Sequence, residues 1–322
     1  MKKLLLDEIK GFSTAQIIDD LRRCKYSLLE CADCHQLRVE MKGPGAACRM
    51  IVNLVWYASG LDKKTIRHDR LVARRLARLL SWAAPAEIHG KIPQRTQSLV
   101  VGFNHPSLGE IIRFLHVCLA EYGERANLFP VNLPWFEALM PVVDKLERVG
   151  IYLVPIITPS TFAKMEAIAS VGDMQVIEQI RKGFSMHYLN QCVEFAKKPS
   201  AIWVAPSATR RATVFRSVAE YENLERPEPP AMSLIATSLM RAGVTDCEFL
   251  ACGVIPPPNY RRGLNLLKRY TLCFAECYGM TQVSNLMRQR CEHHRGRMFE
   301  YEFLQSICHA LTAAGANNLL YP

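Results

Sequence analysis

Hydrophobic and polar positions follow two regimes along the chain. Over residues 1–84 apolar side chains recur at helical spacing with few strand signals, and Lys42-Gly43-Pro44-Gly45 predicts a break between helices. The last helix of this region, within TIRHDRLVARRLARLLSWAA, sets Arg67, Arg70, Arg74 and Arg78 on one face, with Val72, Leu76, Leu79 and Leu80 largely on the other. From Pro85 the pattern changes to short apolar runs separated by helical stretches, which predicts an α/β region. The expected strands are Ser98 to Phe103, Ile151 to Ile157, Ala201 to Ala205 and Glu248 to Ile255. The expected helices cover Glu110 to Tyr122, Trp135 to Val149, Asp173 to Ala196 and Met232 to Ala242, with a charged helical stretch over 281–313. The prolines of LERPEPPAM, Leu224 to Met232, mark a loop. The domain organisation expected is a helical N-terminal region, 1–84, followed by an α/β domain, 85–322.

Composition narrows this picture. A chain of 322 residues that is 49% hydrophobic can bury a large core. A formal charge of +10 favours a polyanionic partner: nucleic acid, an anionic membrane surface or a phosphorylated substrate. In MKKLLLDEIKGF, Asp7 and Glu8 end the apolar run too early for a signal peptide. No uninterrupted apolar stretch approaches the roughly 20 residues that a membrane-spanning helix needs. A cytoplasmic or peripherally membrane-associated chain is expected, with its 12 cysteines reduced.

Cys31-Ala-Asp-Cys34-His35 has the spacing of a covalent haem attachment, chemistry that belongs to exported proteins. Cys24, Cys31, Cys34 and His35 also suffice in kind for a tetrahedral zinc site. The reading adopted is a helical segment whose cysteines are small core residues, with no metal.

The chemistry gathers at FNHPSLGE, Phe103 to Glu110. His105 follows an apolar strand and precedes Pro106, which favours an extended backbone, while Ser107 suits the start of a helix. Glu110 falls early in that helix, within reach of one ring nitrogen. A carboxylate so placed fixes the tautomer and raises the basicity of the other nitrogen, which is how a general base is built. In WVAPSATRRATVF a second apolar strand leads into a loop bearing Arg210 and Arg211, whose guanidinium groups suit phosphate.

These blocks together resemble the glycerolipid acyltransferases, the family that includes glycerol-3-phosphate and 1-acylglycerol-3-phosphate acyltransferases. Ile88 to Pro93 (IHGKIP) is similar to the family's lead-in, and Asn104-His105-Pro106-Ser107 with Glu110 to its NH-x-S block and H-x4-D motif. Leu146 to Pro155 (LERVGIYLVP) is similar to the second block. Pro206-Ser207-Ala208-Thr209-Arg210 is similar to the Pro-Glu-Gly-Thr-Arg block, and Val254-Ile255-Pro256-Pro257 to the proline-bearing strand end. The resemblance spans about residues 85 to 258. Glu110 stands where aspartate is usual, Ser207 where many members have glutamate, and Leu153-Val154-Pro155 where the second block often ends in Asp-Arg.

The resemblance implies an acyltransferase-like sheet flanked by helices, and direct transfer of a fatty acyl group from acyl-CoA or acyl carrier protein to a hydroxyl of a phosphorylated glycerol or lysophospholipid. His105 would be the general base and Glu110 its orienting partner. Arg210, Arg211, Asn104 and Ser107 would contact the substrate, with no metal or redox cofactor. Basic charge then serves an anionic donor and an anionic membrane surface, and no nucleic acid is needed. The alternative is a non-catalytic lipid- or membrane-binding protein on the same fold.

Overall fold

The structure is a computed structural model. It describes residues 12–23, 35–58, 70–91, 98–105, 110, 112–114, 116–117, 126–167, 171–206, 230–258, 260, 267–289 and 298–316. The elements are α1 (Thr14–Arg22), α2 (His35–Ala58), α3 (Arg70–Ala83), β1 (Ala86–His89), β2 (Ser98–Phe103), β3 (Ala126–Asn132), α4 (Leu133–Leu139), α5 (Val143–Arg148) and β4 (Ile151–Ile156). They continue with α6 (Pro159–Glu166), α7 (Val171–Ala196), β5 (Ser200–Val204), α8 (Ala231–Arg241), β6 (Cys247–Ile255), β7 (Tyr270–Gly279), α9 (Met280–Arg288) and α10 (Met298–Ala313). Residues 110, 112–114 and 116–117 are also helical. The architecture is α/β: a mixed seven-stranded sheet in the order β1-β7-β6-β2-β5-β3-β4, with helices flanking it.

Contacts group the chain into two compact units, Met1–Arg67 with Phe129–Gln191, and His68–Leu128 with Cys192–Pro322. The position 84/85, where the sequence changes regime, separates α3 from the first strand and is not a boundary between these units.

In the second unit β2 pairs in parallel with both β5 and β6. Parallel strands covered on both faces are continuously apolar rather than alternating. Thus every residue of SLVVGF in β2 and of SAIWV in β5 is buried. The two faces of β2 meet different partners. Phe103 packs on Phe114 with ring centroids 4.5 Å apart, and Phe114 in turn lies 4.6 Å from Trp203 of β5. On the other face a Cβ added to Gly102 would stand 2.3 Å from the Phe303 ring of α10, so that approach requires glycine. Phe299 of α10 meets Phe249 of β6 at 5.1 Å. Each such ring, wholly buried, contributes about 1.5–3 kcal/mol of transfer free energy.

In the first unit the expected break at Lys42–Gly45 does not occur, because α2 runs through it. An interior proline costs a helix about 3 kcal/mol relative to alanine. Packing on α4 opposes that cost: a Cβ on Gly45 would stand 2.7 Å from the Cβ of Ala138, and Arg49 Nη1 donates to the Ala138 carbonyl at 2.7 Å. The glycine that signals a break in the sequence is what lets the two helices approach.

Other elements also depart from expectation. The helix expected over Trp135 to Val149 is α4 and α5 joined by a 3-10 turn, Met140–Val142, that contains Pro141. Strands β1, β3 and β7 and helix α6 were not signalled by periodicity. The stretch 281–313 contains α9 and α10 as separate helices. On α3, Ala77 and Leu80 are buried and Arg78 is exposed, but Leu79 lies at the exposed margin of the apolar face and Trp82 is exposed. The side chains of Arg70, Val72, Arg74 and Leu76, and all of Arg67, lie outside what is described.

Candidate functional site at one edge of the sheet

Because β2, β5 and β6 are parallel neighbours, with Gly102 beside Val204 and Phe103 beside Cys252, their carboxyl ends reach one edge. Strand β7 runs antiparallel to β6, with Ile255 beside Thr271, so its first residue, Tyr270, comes to that edge as well. In open α/β sheets this is where ligands meet side chains set by rigid strands.

Asn104 and His105 are the first two residues beyond β2. Asn104 is buried, and its amide bridges β2 to β6: Nδ2 donates to the Val254 carbonyl at 2.9 Å and Oδ1 accepts from the Val254 N–H at 2.6 Å. The residue expected to contact substrate is thus turned inward, fastening the strand end that carries His105 to its neighbour.

His105 directs Nδ1 at Oε1 of Glu110. The Glu110 side chain is 0% exposed and that of His105 is 16% exposed. Phe103 supports the ring edge-on, at 6.2 Å between centroids. A carboxylate that accepts from Nδ1–H leaves Nε2 as the nitrogen able to take a proton from a bound molecule. Sequence spacing and structure agree that His105 and Glu110 meet.

Arg113, which sequence reasoning passed over, belongs to the same cluster. It lies three residues beyond Glu110, on the same side of the helix. It is wholly buried, its guanidinium 4.3 Å from the centre of the Tyr270 ring, and Nη2 donates to the Lys268 carbonyl at 2.7 Å. Burial pushes the guanidinium down to about 10, against the opposing influence of Tyr270 and of the Glu110 carboxylate. It therefore remains cationic near neutral pH. The available signal was an arginine one helical turn after the candidate carboxylate; its burial depends on β7, a strand the pattern did not reveal.

Ser107, Arg210 and Arg211 lie outside the described residues, as do Cys24, Cys31 and Cys34 of the cysteine cluster. Pro206, the residue from which the Ser207–Arg211 segment departs, is buried just beyond β5. Leu153, Val154 and Pro155 are all buried in β4. Among the described residues no group of three His, Cys, Asp or Glu side chains could hold a metal, and no helix is long and apolar enough to cross a membrane.

No protein-family model matches the chain, and no curated protein matches it.

Proposed function

We infer that the chain is an acyltransferase that moves a fatty acyl group from acyl-CoA or acyl carrier protein to a hydroxyl of a glycerol-phosphate-type acceptor. The observation that carries this reading is the His105–Glu110 pair at the strand-end edge, an imidazole whose Nδ1 meets a buried carboxylate and whose ring is partly exposed. The order of the sequence blocks around it adds support.

In this reading Nε2 of His105 removes the acceptor's hydroxyl proton as its oxygen attacks the thioester carbonyl. The C–O bond forms, the C–S bond breaks, and the departing thiolate takes a proton from the imidazolium. Glu110 stabilises that imidazolium. Arg210 and Arg211 would hold the acceptor's phosphate so that its hydroxyl is aimed at the carbonyl. An anionic membrane surface would supply or receive the lipid, with the basic chain drawn to it.

The test is thiol release from palmitoyl-CoA and from palmitoyl carrier protein, with glycerol 3-phosphate or its 1-acyl form as acceptor. Acceptor-dependent release, with Arg210→Ala raising the acceptor KM more than it lowers kcat, supports the assignment. Absence of release with every pair, from folded protein bound to anionic liposomes, favours the lipid-binding alternative.

A further inference from the structure

Of the four tryptophans, Trp56, Trp135 and Trp203 are buried, whereas Trp82, on the last turn of α3, is 75% exposed. Leu79, three residues earlier on the same helix face, is exposed as well, and so is Arg78, one turn before Trp82. A segment distant in the chain meets the end of this helix. The Leu267 N–H donates to the carbonyl of Ala83, the last residue of α3, at 2.8 Å. That bond satisfies one of the carbonyls that a helix end leaves open. Among the described residues, Leu267 is the one non-glycine with a left-handed backbone, φ 62°, a conformation disfavoured for L side chains. The disfavoured turn does not bury the leucine: Leu267 is 65% exposed, and Lys268 and Arg269 after it are exposed too.

We propose that Leu79, Trp82 and Leu267, with Arg78, Lys268 and Arg269, form the surface by which this chain docks on an anionic lipid bilayer. One exposed apolar residue is ordinary, but apolar residues brought together from two segments, with cations beside them, mark a contact surface. An indole has an apolar body and one N–H donor, which suits the boundary between lipid headgroups and acyl chains. The leucines add apolar area, and the three cations match an anionic leaflet. Glu87 of β1 is an acidic neighbour; Arg269 acts on it, and it pairs with His89 at 3.0 Å. The surface is tied to the candidate site, because the Lys268 carbonyl accepts from Arg113, which lies one helical turn beyond Glu110. All of these residues belong to the second unit.

The proposal deepens the acyl-transfer reading by naming the membrane-facing surface, and its test uses neither acyl donor nor acceptor. The full chain is titrated with vesicles of equimolar phosphatidylcholine and phosphatidylglycerol, and with phosphatidylcholine alone, while tryptophan emission is followed. Because the other three tryptophans are already buried, a shift to shorter wavelength on the anionic vesicles reports Trp82, and brominated acyl chains should quench it. Trp82→Ala should weaken binding in a flotation assay by about tenfold or more. Arg78→Gln and Arg269→Gln should each weaken it roughly fivefold on the anionic vesicles. These side chains are exposed, and circular dichroism checks that the variants fold. Emission left unmoved by anionic vesicles overturns the proposal, and so does flotation that Trp82→Ala leaves unchanged. A shift that grows with protein concentration in the absence of lipid assigns the face to a second copy of the chain and overturns it too. A shift produced by acyl carrier protein and not by vesicles assigns the face to an acidic protein, with the same consequence. Vesicle binding through Trp82 without acceptor-dependent thiol release sinks the acyl-transfer reading alone. Thiol release with glycerol 3-phosphate, from a chain that does not bind vesicles, sinks the docking surface alone.

Discussion

Each unit of the molecule places a polar cluster where a strand ends, and the two clusters are built from different chemistry. In the first unit Asn132, the last residue of β3, donates through Nδ2 to Thr161 Oγ1 at 2.7 Å, and Thr158 Oγ1 donates to Thr161 Oγ1 at 3.2 Å. Thr158 also caps α6 by accepting from the Thr161 N–H. All these groups are neutral, and their hydrogen bonds answer one another locally. In the second unit the cluster of His105, Glu110 and Arg113 carries formal charges into the interior, and the histidine remains partly open. Neutral groups that satisfy each other fix a fold. Opposed charges buried beside an accessible imidazole are costly as scaffolding, and the arrangement makes sense where a proton has to move.

The contrast is broken most severely at Glu110. In Glu110→Gln the ring loses the anion that stabilises its charged form, and acyl transfer should fall by about 10²- to 10⁴-fold, as for loss of a general acid–base function. The kinetic assay checks this, with circular dichroism to show that the variant is folded. Thr158→Ala, in the neutral cluster, should leave the rate unchanged.

Asn104→Ala comes next. It leaves the N–H and carbonyl of Val254 without the amide that bridges them to β2, and should lower stability by about 2 kcal/mol in denaturant titration. Because the same amide fastens the strand end that carries His105, activity should fall as well, which would mark Asn104 as a support of the charged cluster and not a substrate contact.

An alkaline limb of smaller size is expected from two thiols buried in β6. Burial pushes the Cys247 thiol up to about 12 and raises Cys252 well above its ordinary value. Between the unfolded value near 9 and these folded values, the native state binds more protons than the unfolded chain. Stability is therefore fully present below about pH 9 and declines as pH rises, by up to about 1.4 kcal/mol per pH unit for each thiol. Denaturant titrations at pH 8 and pH 10 should show the decline, and Cys247→Ala should flatten it. The least effect belongs to Thr158→Ala, which removes one cap of α6 and should cost about 1 kcal/mol, read as a shift in the denaturant midpoint.

Much of the centre of the fold is legible in the sequence because strands covered on both faces are unbroken apolar runs; SLVVGF, IYLVPI, AIWV and EFLACGVI all stand out. What escaped is physically different. Strand β7 mixes cysteines and a glutamate into its pattern, β3 contains Pro130, and β1 is short and largely exposed. Gly45 and Pro44 predict a break that close packing on Ala138 overrides. At the candidate site, His105 and Glu110 were legible because they are near neighbours in the chain. The positions of Asn104 and Arg113 were not, since their partners Val254 and Lys268 lie 150 and 155 residues away. No local pattern shows that an arginine will be buried by a strand so distant.

The most direct test is acceptor-dependent thiol release from palmitoyl-CoA or palmitoyl carrier protein, measured for wild type and for His105→Ala at matched folding. If His105 is the general base, the wild type releases thiol only with a phosphorylated glycerol acceptor, and His105→Ala loses about 10²- to 10⁴-fold of that rate. Release that survives unchanged in His105→Ala would contradict the central claim.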